Sequence, residues 1–133
     1  ALIEHHLATG ADLTVCEPLP DGTYAEVINV SALERAHRFG EDRHRSELCT
    51  LFIFENPDSF KIERVEAPPE VARPDIRLTI DTPEDHIVAR TVYAALEPEF
   101  GHMPPLEEIV KYLDTHQELR NLNASLSTTK LWR

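Results

Sequence analysis

Residues 75–85, DIRLTIDTPED, leave the least freedom in how this chain folds, because they pass from one structural period to another without a spare residue. Ile76, Leu78 and Ile80 alternate with Arg77 and Thr79, the period of a strand with one buried face. Thr82 suits an N-cap, and Pro83 fits the first helical position, where no N–H is needed. Glu84 and Asp85 bring negative charge to the positive end of the helix. Ile87, Val88, Thr91, Val92, Ala95 and Leu96 then recur at helical spacing, and Glu97-Pro98 predicts the stop. Asp81 is therefore expected at the carboxyl end of a strand, beside a helix N-terminus, the edge at which open α/β sheets bind ligands.

On either side the chain reads as further short elements. Residues 1–7 form a helix stopped by Gly10, residues 12–16 a strand, and 18–22 a turn. Residues 22–30 read as a strand with Tyr24, Glu26, Ile28 and Val30 on one face. A carboxylate in that row needs a partner, so Glu26 is either half of a structural ion pair or a ligand-binding group. Ser31 and Glu34 match a capping box, opening a helix to Gly40 with Leu33, Ala36 and Phe39 inward. A second helix is expected from Asp42 to Glu55, a half-solvated strand over 59–65, and a loop with three prolines over 66–74. Beyond the central helix, Leu106, Ile109, Val110 and Leu113 make an amphipathic stripe, with Leu119, Leu122 and Leu126 as later anchors. This order is that of a mixed α/β domain over residues 1–126, followed by a poorly ordered tail over 127–133.

Charge and composition narrow the function. A net charge of −11 argues against a nucleic-acid groove, and the densest basic run, Arg43-His44-Arg45, sits among Glu41, Asp42 and Glu47. No stretch approaches the roughly 20 apolar residues of a membrane span, and residues 1–15 are too polar and acidic for a signal sequence. A soluble, cytoplasmic chain is expected. It begins with Ala1 and its single Met is Met103, so the expectation is a processed chain or part of a longer one. Cys16 and Cys49 have no partners at zinc spacing and read as buried thiols; His5 and His6 point to different sides of their helix and read as ordinary boundary residues. There is no Gly-rich phosphate loop, G-x-G-x-x-G or Walker pattern, and neither a Ser-His-Asp nor a Cys-His set in a family-like local context.

Four segments in order, PDGTYAEVINVSALERA (20–36), HRSELCTLFIFENPDSFKI (44–62), IRLTIDTPEDHIVARTVYAAL (76–96) and HQELRNLN (116–123), resemble the C-terminal half of the cytidylyltransferases of spore-coat and surface polysaccharide synthesis. That family is related to the enzymes that activate octulosonate and nonulosonate sugars as CMP-sugars. The most specific stretches are D-T-P-E-D and P-x-G-x-x-x-E-V, and residues 1–14 are similar to the helix and strand that follow the family's D-x-P-L motif. The resemblance implies part of a three-layer α/β/α nucleotide-diphospho-sugar transferase-like fold with a mixed sheet. It also implies transfer from CTP to a sugar with release of pyrophosphate, assisted by Mg²⁺. Through the D-T-P-E-D segment it makes Asp81 a metal ligand. Glu26, in the E-V segment, becomes a candidate for sugar contact, and Asp85 a further metal candidate whose alternative role is charge at position N3 of the helix. Where many members carry R-E-H-V-T this chain has Ser46-Glu47-Leu48-Cys49-Thr50, so only the Glu and Thr positions carry over. The family's opening strand, basic triphosphate loop and first metal-binding Asp have no counterpart here, so no catalytic residue is assigned and the 133-residue chain alone is expected to be inactive. A homodimer with residues 22–56 as its arm is expected by resemblance. The alternative is a non-catalytic binding or assembly module that keeps the fold and pairs an exposed sheet edge with another chain.

Overall fold

The computed structural model describes residues 1–126; the expected tail over 127–133 lies outside the described residues. The architecture is α/β, with six α-helices and one mixed three-stranded sheet among the described residues. Two compact units divide the described residues: Ala1–Glu17 with Ala25–Glu66, and Pro18–Tyr24 with residues 67–126.

The first unit is built on the sheet. Its central strand β1 (Leu13–Glu17) pairs antiparallel with β2 (Glu26–Ile28) and parallel with β3 (Ile62–Glu66), in register Leu13↔Ile28 and Leu13↔Ile62. Helix α1 (Leu2–Thr9) ends where Gly10 takes a left-handed φ of 61°, as its sequence suggests. Helix α2 (Val30–Phe39) and the short α3 (Leu51–Glu55) complete the unit. Leu13, Val15, Ala32, Ala36, Ile53 and Phe60 form its core. On α1, His6 is buried; its Nδ1 lies 2.8 Å from the Thr14 hydroxyl and its Nε2 3.3 Å from Asn29 Oδ1.

Several expectations for this unit need correction. The strand over 22–30 shrinks to three residues, and Glu26 begins it as an exposed residue, not as part of a buried row. The helix after it starts from Asn29, not from a Ser31–Glu34 capping box: the Ala32 and Leu33 N–H groups donate to the Asn29 carbonyl at 2.9 and 3.2 Å, while the Asn29 side chain is tied to the Ala11 carbonyl at 2.6 Å and to His6. On its buried face Ala36 lies inward as expected, joined by Ala32, while Leu33 is half-buried and Phe39 is 65% exposed. The single helix from Asp42 to Glu55 is instead a 3₁₀ turn (Asp42–His44) and α3, separated by an irregular stretch. Arg43 donates to both Glu55 oxygens at 2.8 Å, which with His44 holds that carboxyl down to about 2, so part of the basic run is paired within the fold. Cys16 is half-buried and Cys49 exposed, where buried thiols were expected.

The second unit centres on α4 (Pro83–Phe100), packed on α5 (Leu106–Thr115), with α6 (Gln117–Asn121) and a final 3₁₀ turn (Ala124–Leu126). Val88, Val92 and Leu96 of α4 meet Ile76, Val110 and Leu113, while Ile87 on the predicted inward face is 45% exposed. The helix passes through Pro98 and ends at Gly101; near a C-terminus the loss of one intrahelical bond is tolerated more readily than mid-helix. The predicted strand over 76–80 is extended, yet among the described residues it joins no sheet, with one parallel bridge between Arg77 and Asp21. Asp21 N–H donates to the Ile76 carbonyl at 2.8 Å and Leu78 N–H to the Asp21 carbonyl at 2.7 Å. The expected alternation holds for Ile76 and fails beyond it, since Arg77 is buried and Ile80 is 61% exposed.

Gly22 makes that bridge possible. Its φ is +92°, and a Cβ there would stand 2.6 Å from the Thr79 backbone nitrogen. Gly10 also has positive φ, +61°, but nothing lies within 4 Å of its missing Cβ. In urea titrations Gly10→Ala is expected to cost about 1 kcal/mol, the left-handed penalty alone. Gly22→Ala is expected to cost about 3 kcal/mol or more, because backbone strain and overlap add.

Candidate functional site

The N-terminus of α4 organises the residues of interest. Asp85 N–H donates to the Thr82 hydroxyl at 3.2 Å, while Asp85 Oδ2 accepts the backbone N–H groups of Thr82 and Asp81, each at 3.1 Å. The local sequence T-P-E-D dictates this much: a hydroxyl cap, a proline without an N–H, and a carboxylate at N3 returning to the cap.

A buried guanidinium is added to this cap. Arg77 Nε donates to Asp85 Oδ1 at 2.9 Å and Nη2 to Asp85 Oδ2 at 3.0 Å. The two side chains are 4% and 0% exposed, so the ion pair is shielded from water. Asn123, also buried, donates to Asp85 Oδ1 at 2.8 Å and to the Arg77 carbonyl at 3.3 Å. The outer edge of the guanidinium carries two more carboxylates. Nη2 reaches Asp81 Oδ2 at 2.8 Å and Nη1 reaches Asp21 Oδ2 at 3.3 Å.

This geometry separates the two aspartates proposed from sequence as metal candidates. Asp81 sits beside the helix N-terminus as expected, with its side chain 67% exposed and one oxygen held by Arg77. Asp85 is different. Both its oxygens accept several donors and its side chain has no exposure, so it fills the N3 structural role and offers a cation no open coordination position. The Arg77 guanidinium holds the Asp85 carboxyl well below the usual carboxylate range; burial opposes this, and Asn123 and the Asp81 and Thr82 contacts assist it. Among the described residues no three His, Cys, Asp or Glu side chains gather as a metal cage. Glu26 lies in the other unit; the residue is exposed but its carboxyl is partly covered, which lifts it above the usual range, and a hydrogen bond with Thr50 opposes the shift.

Sequence reasoning missed Arg77, Asn123 and Asp21. Strand alternation put Arg77 on the solvent side. The available signal was chemical: an Arg eight residues before an N3 aspartate and four before Asp81. Asp21 and Asn123 join from 56 and 46 residues away, which no local period reveals.

Two curated proteins resemble this chain. An uncharacterized protein of Methanocaldococcus jannaschii is 30% identical over 125 residues, 93% of this chain and 50% of that protein. The spore coat polysaccharide biosynthesis protein SpsF of Bacillus subtilis is 34% identical over 94 residues, 69% of this chain and 39% of SpsF. The chain spans half or less of the length of these relatives. No family model and no solved structure matches it. No helix among the described residues is long and apolar enough to cross a membrane.

The Arg77–Asp85 pair sets a stability expectation. Asp85→Asn leaves a buried guanidinium without its charge partner and is expected to cost about 3–5 kcal/mol. Asp81→Asn, at an exposed carboxylate, is expected to cost about 1 kcal/mol or less. Because folding depresses the Asp85 pKa, its contribution is complete above about pH 4, the range of an unfolded aspartate. It is then lost progressively as pH falls toward the lower folded value. Urea midpoints measured between pH 6 and pH 2 check this: the acid decline of wild type is expected to be shallower in Asp85→Asn.

Proposed function

We propose that this chain is part of a nucleotidyltransferase of surface polysaccharide synthesis, one that joins CTP to a sugar and releases pyrophosphate. Its fold would then be the C-terminal portion of a three-layer α/β/α nucleotide-diphospho-sugar transferase-like domain, working as a homodimer. The observation that carries the reading is Asp81: an exposed carboxylate, fixed beside a helix N-terminus, in the segment that most resembles the cytidylyltransferases. The similarity to a spore coat polysaccharide biosynthesis protein supports the pathway class.

A hard carboxylate oxygen suits Mg²⁺, which is usually held by one or two carboxylates together with substrate phosphates and water. Asp81 fits as one such ligand, and Asp85 does not, because its oxygens are taken. When bound, the cation would supply electrostatic stabilisation to the phosphates. This chain's own part is narrower: Asp81 offers the ligand, Arg77 and the cap keep it in place, and Glu26 remains the candidate for sugar contact. With no basic phosphate-gripping loop among its 133 residues, the chain assayed alone is expected to turn over no CTP.

A second reading, a non-catalytic assembly module, is favoured by apolar side chains open to solvent in the first unit, with Ile3 63%, Leu7 73% and Phe39 65% exposed. One experiment separates the two. In the full-length protein, Asp81→Asn is expected to lower Mg²⁺-dependent release of pyrophosphate from CTP by at least about a hundredfold, the scale of losing a preorganised electrostatic group. Retained turnover removes the metal-ligand assignment. Absence of turnover in wild type, across candidate sugar acceptors, favours the assembly module.

A further inference from the structure

Arg77 makes more contacts than a structural ion pair needs. Two nitrogens on Asp85 suffice to neutralise a buried aspartate, yet Nη2 is shared between Asp85 Oδ2 and Asp81 Oδ2, and Nη1 turns to Asp21. The guanidinium cannot shift to suit Asp81 without losing Asp85. Asp85 in turn is fixed by Asn123 and by the N–H groups of Asp81 and Thr82. Asp81 is therefore pinned twice to the same pair: its backbone N–H donates to Asp85, and its carboxylate accepts from Arg77.

We infer that Arg77 is the positioning residue of Asp81, holding one carboxylate oxygen in a single orientation so that the exposed group is ready for a divalent cation. The inference rests on the metal-ligand reading of Asp81 for its purpose. An exposed aspartate ordinarily samples several rotamers, and a ligand that must first be ordered binds more weakly than one already in place. The planar fork is needed because three nitrogens serve three carboxylates at fixed angles, which one ammonium cannot reproduce. Three carboxylates around one guanidinium also leave negative charge to balance a cation.

The test uses the full-length protein. Three-bond couplings across the Asp81 Cα–Cβ bond report its rotamer without any metal or turnover. Wild type is expected to show one rotamer and Arg77→Lys an average over several. Arg77→Lys is also expected to raise the half-saturating Mg²⁺ concentration for pyrophosphate release by about tenfold or more, as loss of a metal ligand's hydrogen-bonded support does, with most of the maximal rate recovered at saturating Mg²⁺. In an Asp81→Asn background the same Lys substitution should not move the Mg²⁺ dependence further. Averaged couplings in wild type, or couplings unchanged in Arg77→Lys, overturn the inference. If Arg77→Lys does not fold, wild type decides: a fixed Asp81 rotamer with slowed Arg77 Nη exchange supports it, and averaging overturns it. A fixed rotamer in wild type without CTP turnover defeats the proposed function and leaves the positioning role standing.

Discussion

The second unit depends on one buried ion pair. Arg77 and Asp85 are both almost completely removed from water, a placement that costs several kcal/mol per charge unless hydrogen bonds replace the lost hydration. Here they do. Asp85 accepts from Arg77, Asn123 and two backbone N–H groups, and Arg77 spreads its remaining donors over Asp81 and Asp21. One pair therefore joins the start of α4 to the turn at Asp21, the extended segment before the helix, and the end of the described chain. Beneath it, Ile76, Val88, Val92, Leu96, Val110 and Leu113 supply the apolar burial that holds those segments in place.

That arrangement divides labour between two aspartates four residues apart. Asp85 has given up every lone pair to the fold and is held ionised by the guanidinium. Asp81 keeps an exposed carboxylate whose orientation is supported from below. A ligand on a helix cap, backed by a buried ion pair, has less freedom than one on an open loop. This difference, and not the number of acidic residues in D-T-P-E-D, is why the proposed metal-ligand role falls to Asp81 and the N3 structural role to Asp85.

What could be read in the sequence was local. Thr82, Pro83 and Asp85 lie within one helical turn, so their cap follows from residue type and spacing, and Gly10 ends α1 for an equally local reason. Errors arose where a distant partner decides. Ser31–Glu34 has the right spacing for a cap, but Asn29, tied to Ala11 and His6, starts the helix first. The strand expected over 22–30 rests on β-branched and aromatic content. Its first residue, Gly22, is committed to close approach with Thr79, and Val30 to α2. Arg77 was the most consequential miss, because alternation reports which positions share a face and not whether a charged one will find carboxylates waiting inside. The exposed Ile80, by contrast, follows from a segment that is extended but paired only at Arg77 among the described residues.

The proposed function needs Asp81, and not Asp85, to meet a cation. The most direct measurement is a crystal structure of the full-length protein grown with CTP and Mn²⁺, with anomalous differences locating the metal. The expected result is a Mn²⁺ peak at coordination distance from an Asp81 carboxylate oxygen, with the Arg77–Asp85 pair intact below it. A metal bound through Asp85, or a nucleotide-bound metal beyond coordination distance of Asp81, would remove the metal-ligand role of Asp81.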